Sequence, residues 1–349
     1  MNTKFILLWS VAYCLTSLQS YSENKYTLLD ERIDSIMKIH NLPGVQVAVV
    51  HKENIVYKKS YGWADVDNKI VVSDSSLFRI ASISKPITMA AILKLIDGNK
   101  LRKDQLVFGE QGILTLDYEV PDSGMVKQIT VQHLLNHRSG WVNEPTDPMF
   151  WDSRFTKQQI IQKILSTRKL KYAPGTQDSY SNFGYCILGC IIEKITGMSY
   201  EDYVKQEILS PCGIVNMKIG KDKYDDRSFN EVTYYARENA GVYDLPVSRL
   251  SSVGGWIASA TDLVNFLVHV DRNNKKADII SIKSMEDTYF VFERWDHSGS
   301  LPGTMTYISR FNDEWGYAIL INTRTLDDGT IFGDITKVMG ACISDWAQN

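Results

Sequence analysis

Runs that alternate like β-strands stand near both ends of this 349-residue chain, and most of what lies between repeats at helical spacing. The early stretch "GVQVAVVHKENIVYKKSYGWADV" reads as two strands around a turn at Lys52–Asn54. Late in the chain, "DTYFVFERW", "TMTYISRF" and "GYAILINTR" alternate like neighbouring antiparallel strands. Strands so far apart, with helices between, predict an α/β fold: an antiparallel sheet flanked by helices, built from both termini, with an inserted all-α subdomain. The expected parts are 24–81 with 256–349 as the α/β portion and 82–255 as the mainly helical one. A catalytic cleft between them is the expected place for a site.

The helical readings come from spacing and caps. "TLLDERIDSIMKIHNLPG" carries Leu29, Ile33, Ile36 and Met37 on one face, with Thr27 and Asp30 as a capping pair. Further helices are read at Pro86–Asp97, Val131–Asn136, Lys157–Ser166, Asn182–Thr196 and Tyr200–Leu209. "SATDLVNFLVHV" adds another, capped by Ser259 and Asp262, and "GDITKVMGACISDWAQ" closes the chain as a last helix.

The first twenty residues read differently. Lys4 precedes an apolar run from Phe5 to Leu15, followed by small and polar residues, which is the outline of a secretory signal cleaved after Ser20 or Ser22. The run is short for a membrane span. Cys14 raises a lipoprotein reading, but bulky Tyr13 stands where such sites want a small residue. Export, periplasmic or secreted, is the expectation, and the absence of any N-x-Ser/Thr sequon leans toward a bacterial envelope. A net charge of −3 gives no footprint for nucleic acid or an anionic membrane, so the expected partner is a small molecule or peptide. Four cysteines remain beyond the leader: Cys186, Cys190, Cys212 and Cys342. Cys186 and Cys190, four apart on a helix, would hold their Cβ atoms about 5–6 Å apart, too far for the ~3.5–4.5 Å of a disulfide. Packed free thiols are expected, with no metal and no cofactor.

Candidate chemistry begins in "FRIASISKPITMAAILKLIDGNKL". Ser82 and Lys85, three apart at the mouth of an apolar helix, leave on the same face. A lysine desolvated toward neutrality can take a serine's proton, and a helix start favours a developing oxyanion. The plain alternative is that Ser82 caps the helix and Lys85 is a solvated charge. "YSN", Tyr180 to Asn182, puts a phenol and an amide two apart at a loop-to-helix junction; Asn182 as a simple cap is the alternative. "HSGS" follows, with His297 and Gly299 where a strand begins, and the N–H groups of Ser300 and Ser82 would form an oxyanion hole. Gly299 would permit close approach of a substrate; a turn with a surface histidine is the alternative.

Ser-x-x-Lys, Tyr-x-Asn and His-x-Gly in this order resemble the serine β-lactamase and penicillin-binding-protein superfamily. The nearest resemblance is to its class C-like branch of D-alanyl-D-alanine carboxypeptidases, esterases, D-amino-acid amidases and class C β-lactamases. "LFRIASISKPIT", "ITVQHLLNHRSG", "YAPGTQDSYSNFGY", "GGWIASATDLVNF" and "HSGSLPGTMTYI" all look like this family, from about Leu29 to the last helix. The resemblance implies an acyl-enzyme on Ser82, activation by Lys85, and proton transfer by Tyr180, with the choice of base left open. It implies that Asn182 orients a substrate amide and His297 lines the far wall. His133 and His137 are read as loop braces. Histidine at 297, where β-lactamases of this branch carry lysine, argues against efficient β-lactam hydrolysis as the main activity. Trp141, Phe150, Trp151, Trp256 and Trp295 are read equally as cleft lining or core. The expected function is an exported serine hydrolase acting on an amide or ester near a D-amino acid or peptidoglycan stem. A small-ester esterase, a penicillin-acylated sensor without turnover, and a silent adhesive scaffold are the rivals.

Overall fold

The computed structural model describes residues 26–120, 124–236, 241–273, 275–324 and 328–348, so the leader reading and Cys14 lie outside the described residues. In chain order, α1 (residues 26–40) is followed by β1 (Gly44–His51), β2 (Asn54–Asp65), β3 (Ile70–Val71), β4 (Phe78–Arg79) and α2 (Ser84–Asp97). Then come α3 (Val131–Leu135), α4 (Lys157–Thr167), α5 (Asn182–Thr196), α6 (Tyr200–Val204), β5 (Lys218–Ile219), β6 (Tyr235–Ala236) and α7 (Ser251–Gly254). The last part holds β7 (Trp256–Ala258), α8 (Ala260–Leu267), α9 (Ile282–Met285), β8 (Trp295–Leu301), β9 (Thr304–Arg310), β10 (Trp315–Ile321), β11 (Thr323–Arg324) and α10 (Asp328–Gln348).

The described residues up to Leu42, with those from 328 onward, form one compact unit: α1 and α10, joined by His40 Nε2 to Asp334 at 2.8 Å and by Tyr26 edge-on to Trp346. Thr27 and Asp30 lie inside α1 rather than capping it, because the helix already runs from residue 26. The second unit, Pro43–Thr325, carries the main sheet.

That sheet has six strands in the order β3-β2-β1-β10-β9-β8, antiparallel throughout. β1 pairs with β2 on one side and with β10 on the other, Val45 facing Ile321 and His51 facing Trp315. Early and late segments thus form one sheet, as the alternation predicted. β1 and β10 are buried on nearly every residue. "DTYFVFERW" is the exception. Its central residues Tyr289–Val291 form a 3-10 turn capped by Thr288, Phe290 is fully buried, and the strand starts only at Trp295. The cap and one deep aromatic anchor override β propensity there.

Helix bounds match the spacing closely at α4 and α5, and the Ser259–Asp262 capping box is formed at α8. The stretch read as one helix from Tyr200 splits into α6 and a π-turn at Lys205–Leu209. Thr88 of α2 ties three elements together, its hydroxyl meeting Ser252 O at 2.7 Å and Tyr200 OH at 2.7 Å. All four cysteines are buried free thiols.

The segment before α2 is gripped by β8 and β9. Thr304 Oγ1 donates to Arg79 O at 2.8 Å, and Thr306 Oγ1 to Ile80 O at 2.9 Å. Gly299 of β8 lies flat against the same segment: a Cβ there would meet Ile80 O at 2.2 Å and Thr306 Oγ1 at 2.4 Å. The close approach that this glycine permits is therefore that of the Ile80–Ala81 backbone. We expect Gly299→Ala to destabilise the fold by about 1–3 kcal/mol through overpacking. Gly333→Ala, in α10 with nothing within 4 Å of its added Cβ, should instead stabilise by about 0.5–1 kcal/mol. Thermal melts of the two variants beside the parent check both signs, and a Gly299→Ala protein that melts like the parent overturns the packing argument.

Candidate active site

Ser82 sits in a short 3-10 turn, Ala81–Ile83, between β4 and α2. The residue before it, Ala81, has φ +48°, a left-handed conformation that side chains other than glycine seldom adopt. Ile83 is the N-cap of α2 and makes no side-chain cap bond, so Ser82 does not cap the helix. Its hydroxyl is used otherwise. Lys85 Nζ lies 3.0 Å from Ser82 Oγ, and Tyr180 OH donates to the same oxygen at 2.8 Å.

Lys85 is fully buried, and its amine also donates to Val253 O at 2.8 Å. The solvated-charge reading of this lysine is thereby overturned. Desolvation pulls its pKa down to about 7, opposed by the negative charge of Asp147. Near neutral pH a large share of Lys85 is an uncharged amine beside Ser82. Tyr180 moves the other way, pushed up to about 12 by desolvation and by Asp147 against the lowering effect of its bond to Ser82. The phenol is therefore protonated and a donor at neutral pH. The residue stays 43% exposed while its hydroxyl is turned onto Ser82.

Asn182 opens α5, but the cap is its neighbour Ser181, whose side chain accepts from Gly184 N. That leaves the Asn182 amide available, and Nδ2 donates to Asp147 Oδ2 at 2.6 Å. Sequence reasoning missed Asp147. The Asp-Pro pair marks it as the cap of the 3-10 turn Pro148–Phe150, where its Oδ1 accepts from Met149 N. Nothing local announces a contact with Asn182, thirty-five positions on. Arg249 was missed as well. Its guanidinium donates to the carbonyls of Met149, Trp151, Asp152 and Phe155 and so pins the loop that follows Asp147.

The two histidines of "HLLNHRSG" divide. His133 closes a capping box with Thr130 at the start of α3. His137, itself at φ +56°, accepts from Ser181 N at 3.1 Å and lies against the rings of Tyr180 and Tyr185, with centroids 4.5 and 4.9 Å away. It braces the tyrosine that meets Ser82. Burial, then Lys85 and His297, hold His137 down to about 3. His297, part-exposed on β8, is pushed down to about 4 by desolvation and then by Lys85, so it is neutral at pH 7.

A cavity of about 380 Å³ opens on this cluster, lined among others by Ser82, Tyr180, Asn182, Phe150, Ser300 and Arg324. His297 and Gly299 are not part of that lining. Larger hollows exist, one of about 740 Å³ beside Lys94 and Glu207, but chemistry rather than size selects the one at Ser82. Of the aromatic candidates only Phe150 lines the cavity. Trp141, Trp256 and Trp295 are buried in the core, and Trp151 stacks under Lys163 and Arg168. Among the described residues no cluster of metal-ligating side chains occurs, and no helix is long and apolar enough to cross a membrane.

The chain is similar to known proteins. The family model described as Beta-lactamase matches residues 29–333. "Protein flp" of Staphylococcus aureus (strain COL) is 27% identical over 217 residues, 62% of this chain and 41% of the relative. "Penicillin-binding protein 4*" of Bacillus subtilis (strain 168) is 30% identical over 223 residues, 60% of this chain and 46% of the relative. The chain thus spans less than half the length of either curated relative. The crystal structure of D-amino acid amidase from Ochrobactrum anthropi SV3 complexed with D-phenylalanine shares the fold, with a TM-score of 0.70 at 21% identity over 91% of this chain and 99% of that one. With the family model covering most of its length, the chain belongs to the Beta-lactamase family.

Proposed function

We propose that this protein is an exported acyl-transfer hydrolase in which Ser82 attacks the carbonyl of an amide or ester, the natural substrate being a D-amino-acid or peptidoglycan-type peptide. The observation that carries this reading is the convergence on Ser82 Oγ of a buried amine at 3.0 Å and a phenol at 2.8 Å. The Ser82 proton passes to neutral Lys85 as the Oγ–carbon bond forms. The backbone N–H groups of Ser82 and Ser300, both residues of the cavity wall, would hold the oxyanion. Tyr180, protonated at neutral pH, gives its proton to the leaving amine or alcohol as the carbonyl bond to it breaks, and recovers one from Lys85. Water then attacks the acyl-enzyme with the same groups acting in reverse.

These pKa directions favour Lys85 over Tyr180 as the first base, the point that the motifs alone leave open. A neutral His297 offers no fixed cation to a substrate carboxylate, which weighs against β-lactam hydrolysis as the main activity and leaves amide and ester substrates open. The leader read in residues 1–20 supports export.

Intact mass after incubation with a fluorophosphonate, and separately with a penicillin, tests the nucleophile. One adduct per chain with at least one reagent, absent in Ser82→Ala, is expected; no adduct with either on the folded protein sinks the reading. Lys85 supplies a second test. Because it accepts a proton only when neutral, kcat/KM should rise with pH through about 7 and level off above it. A profile flat from pH 5 to 9 would count against Lys85 as base. Tyr180→Phe should lower kcat/KM by about 100-fold or more, with the melting temperature little changed.

A further inference from the structure

Leu245 lines the Ser82 cavity from a loop that belongs to none of the three motifs. The chain on both sides of it is tied to one buried side chain. Arg79, three residues before Ser82, is fully buried. Its guanidinium donates through Nη1 to Val242 O at 2.8 Å and through Nη2 to Lys221 O at 3.2 Å. The first bond holds the chain just before Leu245. The second acts on the far side, because Asp222, next to Lys221, accepts from Ser248 N at 2.8 Å and from Ser248 Oγ at 3.1 Å. The loop from Val242 to Ser248 is thus held near both ends by a single fork.

The fork is itself fixed. Arg79 N donates to Tyr234 OH at 2.8 Å, Tyr234 OH donates to Glu231 Oε1 at 2.9 Å, and that carboxylate pairs with Arg79 Nε at 3.9 Å. The rings of Tyr234 and Tyr243 lie against the guanidinium, with centroids 4.4 and 5.3 Å from Cζ. Tyr243, two residues before Leu245, also accepts from Tyr234 N at 3.0 Å. A buried ion pair is weak evidence of a contribution to stability, since an apolar replacement often serves the fold as well. What a guanidinium adds is two donors at a rigid spacing, which an ammonium cannot supply.

We propose that Arg79 is a positioning residue for the reaction at Ser82: it fixes Leu245 relative to the nucleophile and thereby makes the cavity select an apolar substrate group that fills the space beside Leu245 over a smaller one. This rests on the acyl-enzyme reading of Ser82 and adds selectivity to it. Phe150, Leu250 and Leu301 line the same cavity, so the group it holds meets apolar walls. The serine turn has its own supports, the bonds of Thr304 and Thr306 to the carbonyls of Arg79 and Ile80, which do not involve the guanidinium. Loosening the fork therefore alters what the cavity selects and leaves the nucleophile in place.

Alkylboronic acids test this on the intact protein. Boron accepts an electron pair from Ser82 Oγ, the Oγ–B bond forms as the hydroxyl proton passes to Lys85, and nothing leaves, so the alkyl group alone probes the cavity. Affinity is read as protection of Ser82 from a fluorophosphonate, followed by intact mass. We expect butylboronic acid to protect at about 10-fold lower concentration than methylboronic acid, through the apolar surface it buries. Arg79→Lys, which keeps a cation beside Glu231 but loses the fork, should bring the two within about threefold while methylboronic acid itself changes by less than about threefold. Asp222→Ala, which frees Ser248 and leaves the buried pair intact, should narrow the ratio in the same direction. Leu245→Ala should narrow it too, and Arg79→Lys should add nothing on top of it, since both act through one side chain. Several results would each overturn the proposal: equal protection in the parent, or a ratio unmoved by Arg79→Lys (by Asp222→Ala where that variant does not fold). So would effects of Arg79→Lys and Leu245→Ala that multiply, or equal weakening of both acids beside a lower melting temperature. Failure of the fluorophosphonate to label Ser82 removes the acyl-enzyme reading; labelling with an unmoved ratio removes only the role of Arg79.

Discussion

Burying the amine of Lys85 at the head of α2 is the constraint from which the rest of the site follows. An ammonium without water is costly, and the protein meets that cost in two ways. It offers one carbonyl, Val253 O, and one hydroxyl, Ser82 Oγ, to the nitrogen, and it lets the amine lose its proton near pH 7. The neighbours comply. His137 and His297 are held neutral, so no second cation adds to the repulsion, and the Tyr180 phenol stays protonated. The sign for stability is definite. A lysine whose folded pKa lies below its unfolded value costs the fold increasingly as pH falls from about 10 toward 7, and no further below that. Reactivity at Ser82 and a stability penalty at Lys85 are one physical fact.

Holding the nucleophile is a backbone matter. Ser82 follows Ala81 at φ +48°, a conformation that local preference opposes at about 1–3 kcal/mol. Contacts from far along the chain impose it: Thr304 and Thr306 bond the carbonyls of Arg79 and Ile80, and Gly299 lets β8 lie against them. Strands β8 and β9 therefore hold the turn that carries Ser82. Arg249 does for the Asp147 loop what the threonines do for the serine turn.

Most elements were legible because their signals are local. Residue types favouring strands around a turn found β1 and β2, alternation found β9 and β10, and spacing with caps found α4, α5 and α8. The misreadings arose where a short-range cue competed with a buried anchor. Phe290 turned an alternating run into a 3-10 turn, and Ser181 took the capping role that Asn182 had seemed fit for. Ser82, too, looks like a cap in sequence and is none.

Local order along the chain therefore determined which residue types stand at which junctions: a serine one turn before a lysine, a tyrosine two before an asparagine, a glycine in a late strand. Such patterns are set by nearest neighbours and can be read without a fold. What only the tertiary structure decided is which groups share an oxygen, a charge or a cavity. Asp147 reaches Asn182, Tyr180 reaches Ser82 across ninety-eight positions, and Lys85 is desolvated among its own helix, the Tyr180–Tyr185 segment and Val253. Desolvation and Coulomb forces depend on distance in space, and sequence separation carries almost none of that information.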